Sequence, residues 1–185
     1  MTRFLAVSIL VVSALGGCAD GVSIVSHHYP YSPSTASGYL RDAGAAGPVL
    51  LEVRDNPFAG DVAGPLAEAA SRTSVGFLTR FTTVRSEAPR PEYRMVVQFD
   101  PNAGTTSAGV CDPTQPTGYR SATGRLNALV AFCHQSRPIL SVMASAPRPD
   151  RPDSPIIREL AEQAMLRMFI REPDNDSNPH RRLVP

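Results

Sequence analysis

Cys111, Cys133 and His134 are the interior residues of this sequence whose types suit nucleophilic or metal chemistry. Cys133 and His134 are adjacent and would tempt a thiolate–imidazole reading. They close a run in which Leu126, Ala128, Val130 and Phe132 alternate with Asn127, Leu129, Ala131 and Cys133, which reads as a strand. Consecutive strand side chains point to opposite faces, so this pair cannot readily meet. A zinc site needs more ligands than Cys111, Cys133 and His134 supply. Asp100 follows an apolar strand, Asp112 lies in a loop beside Cys111, and Glu52 sits two residues from Arg54 on one strand face. Each reads as a solvated or turn-forming group rather than half of an acid–base pair. The chain has no Gly-x-Ser-x-Gly elbow, no phosphate-binding loop and no His-Glu-x-x-His. The expectation is a protein that is not an enzyme and has no cofactor or metal.

The third cysteine, Cys18, has a different setting. Arg3 precedes a short apolar run from Phe4 to Leu15, followed by Gly16, Gly17 and Cys18. A run of about a dozen residues falls well short of the ~20 that a spanning helix needs. A charged start, a short apolar middle and a small-residue end make a secretory signal. Leu15-Gly16-Gly17-Cys18 resembles the lipobox of bacterial lipoproteins at all four positions. The resemblance covers only the first eighteen residues. It implies removal of a signal peptide, residues 1–17, and fatty acylation of Cys18, hence a membrane as partner. One acyl chain binds marginally, at about 0.8 kcal/mol per buried methylene, whereas two or three make the anchor practically permanent. Ala19, standing where aspartate tends to retain such proteins at the inner membrane, implies the outer membrane, facing the periplasm.

Export places the remaining thiols in an oxidising compartment, where an even pair suggests a Cys111–Cys133 disulfide. Such a bridge closes a loop of about twenty residues and contributes roughly 3 kcal/mol in the chain-entropy treatment. The net charge is +1, and all 18 cationic side chains other than histidine are arginine. Without a basic stripe, a nucleic-acid partner is not expected.

The elements that would position these residues follow from periodicity and caps. Residues 18–47 read as a lipidated, largely disordered tether, because Ser, Gly, Ala, Pro and Tyr dominate there. A domain over 48–172 opens with a strand at Val49, Leu51 and Val53. A helix capped by Asp61 follows, carrying Leu66, Ala67, Ala69 and Ala70 inward. Phe77, Thr79, Phe81 and Thr83 suggest a second strand. The clearest strand sets Tyr93, Met95, Val97 and Phe99 on one face and Arg94, Val96, Gln98 and Asp100 on the other. Arg94 and Gln98 are expected to face solvent, or, if partnered, to form a polar floor. Residues 101–124 read as a long loop that the disulfide would pin. A hairpin turning at His134–Arg137 comes next, and its two strands are apolar on both faces. Ser154 and Pro155 start a helix whose Ile157, Leu160, Ala161, Ala164, Met165, Met168 and Phe169 share one side. Residues 173–185 read as a disordered tail.

This order predicts an α+β fold: a two-layer sandwich with a mostly antiparallel sheet of about five strands and two helices on one face. Such a domain resembles the small α/β lipoproteins of bacterial envelopes, a group that serves as accessory or assembly subunits. The resemblance implies a non-enzymatic protein that binds another envelope component. Two alternatives stand beside it: a small-molecule or lipid-binding module with its ligand between sheet and helices, and a hydrolase that would gather His134, Asp100 or Asp112 beside a serine.

Overall fold

A computed structural model of the chain describes residues 21–28, 30–116 and 124–170. The expected signal peptide, Cys18 and the expected tail 173–185 lie outside the described residues. The elements in order are β1 (Ser23–His28), α1 (Pro33–Ala46), β2 (Val49–Arg54), α2 (Ala63–Arg72), β3 (Phe81–Thr82), β4 (Tyr93–Phe99), α3 (Ser107–Cys111), β5 (Arg125–His134), β6 (Arg137–Pro147) and α4 (Pro155–Phe169). The six strands form one sheet in the order β1-β6-β5-β4-β2-β3. Pairing is antiparallel from β1 through β4 and parallel for β4/β2 and β2/β3. The class is therefore mixed α/β with a mostly antiparallel sheet.

Three features differ from the sequence expectation. First, the segment expected to be a spacer is folded. Ser32 accepts a hydrogen bond from the Thr35 N–H at 3.2 Å and Pro33 occupies the first turn, starting α1. Ala36, Leu40 and Ala43 recur at helical spacing and are buried in the main core. Ser37 Oγ donates to the Phe169 carbonyl at 2.9 Å, tying α1 to the end of α4. Gly47 ends α1 at φ +151°, where an added Cβ would lie 2.7 Å from Pro89. Upstream, β1 adds an edge strand to β6, with Ser23 opposite Ser145 and His28 opposite Ser141.

Second, the helices lie on both faces. Buried residues of α1, α2 and α4 share one core with Met95, Val97, Phe99, Val130 and Phe132 of the sheet. The short α3 covers the opposite face, where Val110 and Cys111 pack with Val96, Leu129, Ala131 and Cys133. Third, the expected strand at 77–83 shrinks to Phe81–Thr82. A bend just before it, in which Gly76 adopts φ +90° and the Val75 N–H donates to the Phe77 carbonyl, runs into Phe77, and residues 78–80 are irregular.

The loop expected over 101–124 carries α3, while the starts of α2 and α4 and the hairpin match the sequence expectation. Asp61 Oδ1 accepts from the N–H groups of Ala63 and Gly64 at 2.9 and 3.2 Å at the start of α2. Ser154 caps α4, and the seven residues expected to share one side of it are all buried. β5 and β6 meet at Gln135–Ser136, with His134 opposite Arg137.

Candidate functional site

The face of the sheet beneath α3 is buried, and charged side chains are held beside its apolar patch rather than left to solvent. Arg94 is 5% exposed, and all of its nitrogens are engaged. Nε donates to Glu52 Oε2 at 2.9 Å, Nη1 to the Gln135 carbonyl at 2.8 Å and Nη2 to the Cys111 carbonyl at 2.6 Å. Register explains this convergence: β4/β5 pairing sets Arg94 directly opposite Cys133, the cysteine bonded to Cys111. Arg54 adds a second grip, donating to the carbonyls of Gly109 and Asp112 at 3.3 and 3.1 Å. The last turn of a helix leaves carbonyls without intrahelical partners, and guanidinium groups satisfy them. Glu52 thus pairs with Arg94 and, at 3.3 Å, with Arg85, while Arg54 serves the α3 backbone instead. The expected solvent-facing side is a buried polar layer.

The expected disulfide is present. Cys111 and Cys133, 22 residues apart, are bonded with a Cα–Cα distance of 5.6 Å, and both are fully buried. The bond fixes α3 to β5, and with it the segment Asp112–Thr114.

These contacts shape a cleft of about 690 Å³. Glu52 and Arg94 contribute from the sheet, Asp112 and Thr114 from the segment after α3, and Glu92 and Ser136 from the open end of the sheet. Gln135, also in the lining, adopts φ +55°, a left-handed conformation unusual for a side-chain-bearing residue. Its backbone is held from two sides: its N–H donates to the Glu92 carbonyl at 2.7 Å and its carbonyl accepts from Arg94. Asp112 accepts from the Thr114 N–H and Oγ1 at 2.9 and 2.8 Å, and these bonds pull its pKa below the ordinary carboxylate value. Glu92 is lowered as well, by its own backbone N–H and then by Arg90. Three carboxylates against Arg85 and a fully engaged Arg94 favour ligand groups that donate hydrogen bonds or carry positive charge.

On the helix side of the same end runs a ladder of rings. Tyr93 stacks on His134 at 4.5 Å between centroids and on Tyr39 at 6.1 Å, and Tyr31 meets Tyr39 edge-on at 6.1 Å. The Arg90 guanidinium lies 4.6 Å from the Tyr93 ring centre and pairs with Asp42 and Glu92. Tyr31 and Tyr39 are exposed.

The structure places the residues named for a hydrolase, His134, Asp100 and Asp112, in different parts of the fold. Cys133 lies on the α3 side with Cys111, whereas His134 stacks on Tyr93 on the other side. Asp112 is in the cleft wall. Asp100, at the far end of β4, is buried with Arg148 and accepts from the Asn127 N–H at 3.0 Å. No group of three or more potential metal ligands occurs among the described residues. Between sheet and helices the void, lined by residues such as Leu51, Met95 and Leu160, is about 10 Å³. That is at or below what a single water needs. Sequence reasoning missed the roles of Arg54 and Arg94 as carbonyl clamps; an arginine inside an apolar alternating strand was the available signal. Comparison with protein-family models, with curated proteins and with solved structures finds no match to this chain.

Proposed function

We propose that this protein is a non-enzymatic, lipid-anchored envelope lipoprotein that acts as an accessory or assembly subunit and receives another envelope component in the cleft beside Gln135 and Ser136. One observation carries the reading: a signal-type segment ending in Leu15-Gly16-Gly17-Cys18 leads into a domain closed by the buried Cys111–Cys133 bond. Buried disulfides belong to compartments where thiols are oxidised, and the lipobox resemblance leads to the same place. Ala19 supports the outer membrane. The partner's contacting surface would be basic or rich in hydrogen-bond donors, to suit Glu52, Glu92 and Asp112.

Two measurements test this. Mass spectrometry of protein from the membrane fraction should find the mature chain starting at an acylated Cys18, and C18A should abolish processing and acylation. An unmodified, freely soluble product would overturn the anchoring. A photocrosslinker at Ser136 should trap one defined envelope component, and the same group at Glu68 on α2 should not. Equal capture at both positions would remove the cleft as the docking site.

A further inference from the structure

We infer that the end of the domain where β1 begins rests on the bilayer surface, so that the cleft is held at the opposite, membrane-distal end. The inference rests on the proposed acylation of Cys18, and it follows from how soon the chain becomes part of the fold. Gly21 already lies against α4, where a Cβ would be 3.7 Å from Glu159 Oε1. Ser23 is in the sheet, opposite Ser145, with its Oγ donating to the Ser145 carbonyl at 3.3 Å. Three peptide steps separate Cys18 from Gly21, and at 3.8 Å each they span at most about 11 Å. The headgroup layer alone takes about 5–7 Å of that reach. A free spacer of thirty residues would let the domain roam some 30 Å from its anchor; this chain has no such spacer to use.

The sheet then sets the height of the cleft. Arg125, at the start of β5, donates to the same Ser145 carbonyl as Ser23, at 3.1 Å, and therefore stands beside the point where the chain joins the sheet. β5 runs from there to His134, next to the cleft residues Gln135 and Ser136. Nine strand steps cover about 30 Å at 3.3 Å each. The occupant of the β1 end is the phospholipid surface that holds the acyl chains. Chain length, more than charge, imposes the contact, because the nearby Arg151 is paired with Asp153 and Arg148 with Asp100. A component that uses the cleft must then meet the protein up to about 30 Å above the headgroups and from the side away from the membrane.

The test uses the acylated mature protein in vesicles of phosphatidylethanolamine and phosphatidylglycerol. A fluorophore is placed at R125C or S136C, the native thiols being locked in the disulfide, and quenching by a headgroup-attached acceptor is read. Quenching should be severalfold stronger at position 125, should persist in high salt, and should lose its site dependence when a long Gly-Ser spacer is inserted between Asp20 and Gly21. Equal or inverted quenching in a chain whose acylation is verified by mass spectrometry overturns the orientation alone. A chain that carries no lipid overturns the anchoring and the orientation together.

Discussion

Arg94 on β4 donates through Nη2 to the backbone carbonyl of Cys111 at 2.6 Å, so helix and sheet are joined by a buried charge-assisted hydrogen bond in addition to the disulfide. Removing this guanidinium would leave Glu52 with Arg85 alone and two carbonyls unsatisfied. R94M should therefore destabilise the fold by about 2–4 kcal/mol, at roughly 1–3 kcal/mol for each buried carbonyl left without a donor. Urea unfolding followed by circular dichroism checks this. A loss below 1 kcal/mol would show that the cluster relaxes without cost.

The disulfide and the arginine clamps act on the same helix. Reduction of Cys111–Cys133 should lower stability by about 3 kcal/mol by the loop-closure treatment. The fold itself should persist, because Arg54 and Arg94 still hold the α3 carbonyls. Urea midpoints with and without a dithiol, and for the C111A/C133A double variant, measure it.

Asp100 combines a left-handed backbone, φ +41°, with a buried carboxylate that bonds the Asn127 N–H and Arg148. D100A should cost about 3 kcal/mol through the orphaned partners and the strained φ. D100N should cost markedly less, since asparagine tolerates that conformation and still accepts from Asn127. Thermal melts of the two variants distinguish the terms.

α1 is integral to the domain. L40A removes a fully buried side chain from the main core and should cost about 2–5 kcal/mol, where the same change in a free spacer would cost nothing.

Asp112 and Glu92 are held below their ordinary pKa values in the folded protein. A carboxylate lowered on folding stabilises above its unfolded pKa, and that stabilisation is lost as pH falls through the folded value. Stability should therefore be level from neutral pH down to about 5 and decline below about 4. D112N should make that acid decline shallower, read as urea midpoint against pH. An unchanged slope would mean that the Thr114 bonds persist in the unfolded chain.

How far each feature could be read in advance depended on how local its cause is. α4 was legible because Ser154, Pro155 and the apolar spacing lie within one helix. β4, β5 and β6 were legible because alternation is a property of each strand alone. α1 carried the same Ser–Pro start at Ser32 and Pro33, but its buried face of Ala36, Leu40 and Ala43 is small, and surrounding Ser, Gly and Tyr obscured it. α3, at five residues, has no period to read and is held by tertiary bonds.

By itself, the sequence determined the signal-like start, the hairpin and the helix that closes the domain, because each rests on neighbours a few residues apart, and it pointed to the pairing of the two interior cysteines because no third interior thiol competes. The tertiary structure decided which charges meet. Glu52 and Arg94 are 42 residues apart, and they become partners only because β2 and β4 lie side by side. It also decided that α3 lies opposite the other helices and that the cleft forms at the far end of the sheet from Ser23. Those outcomes depend on strand order and register, which sum many weak contacts across the whole chain and leave no local trace.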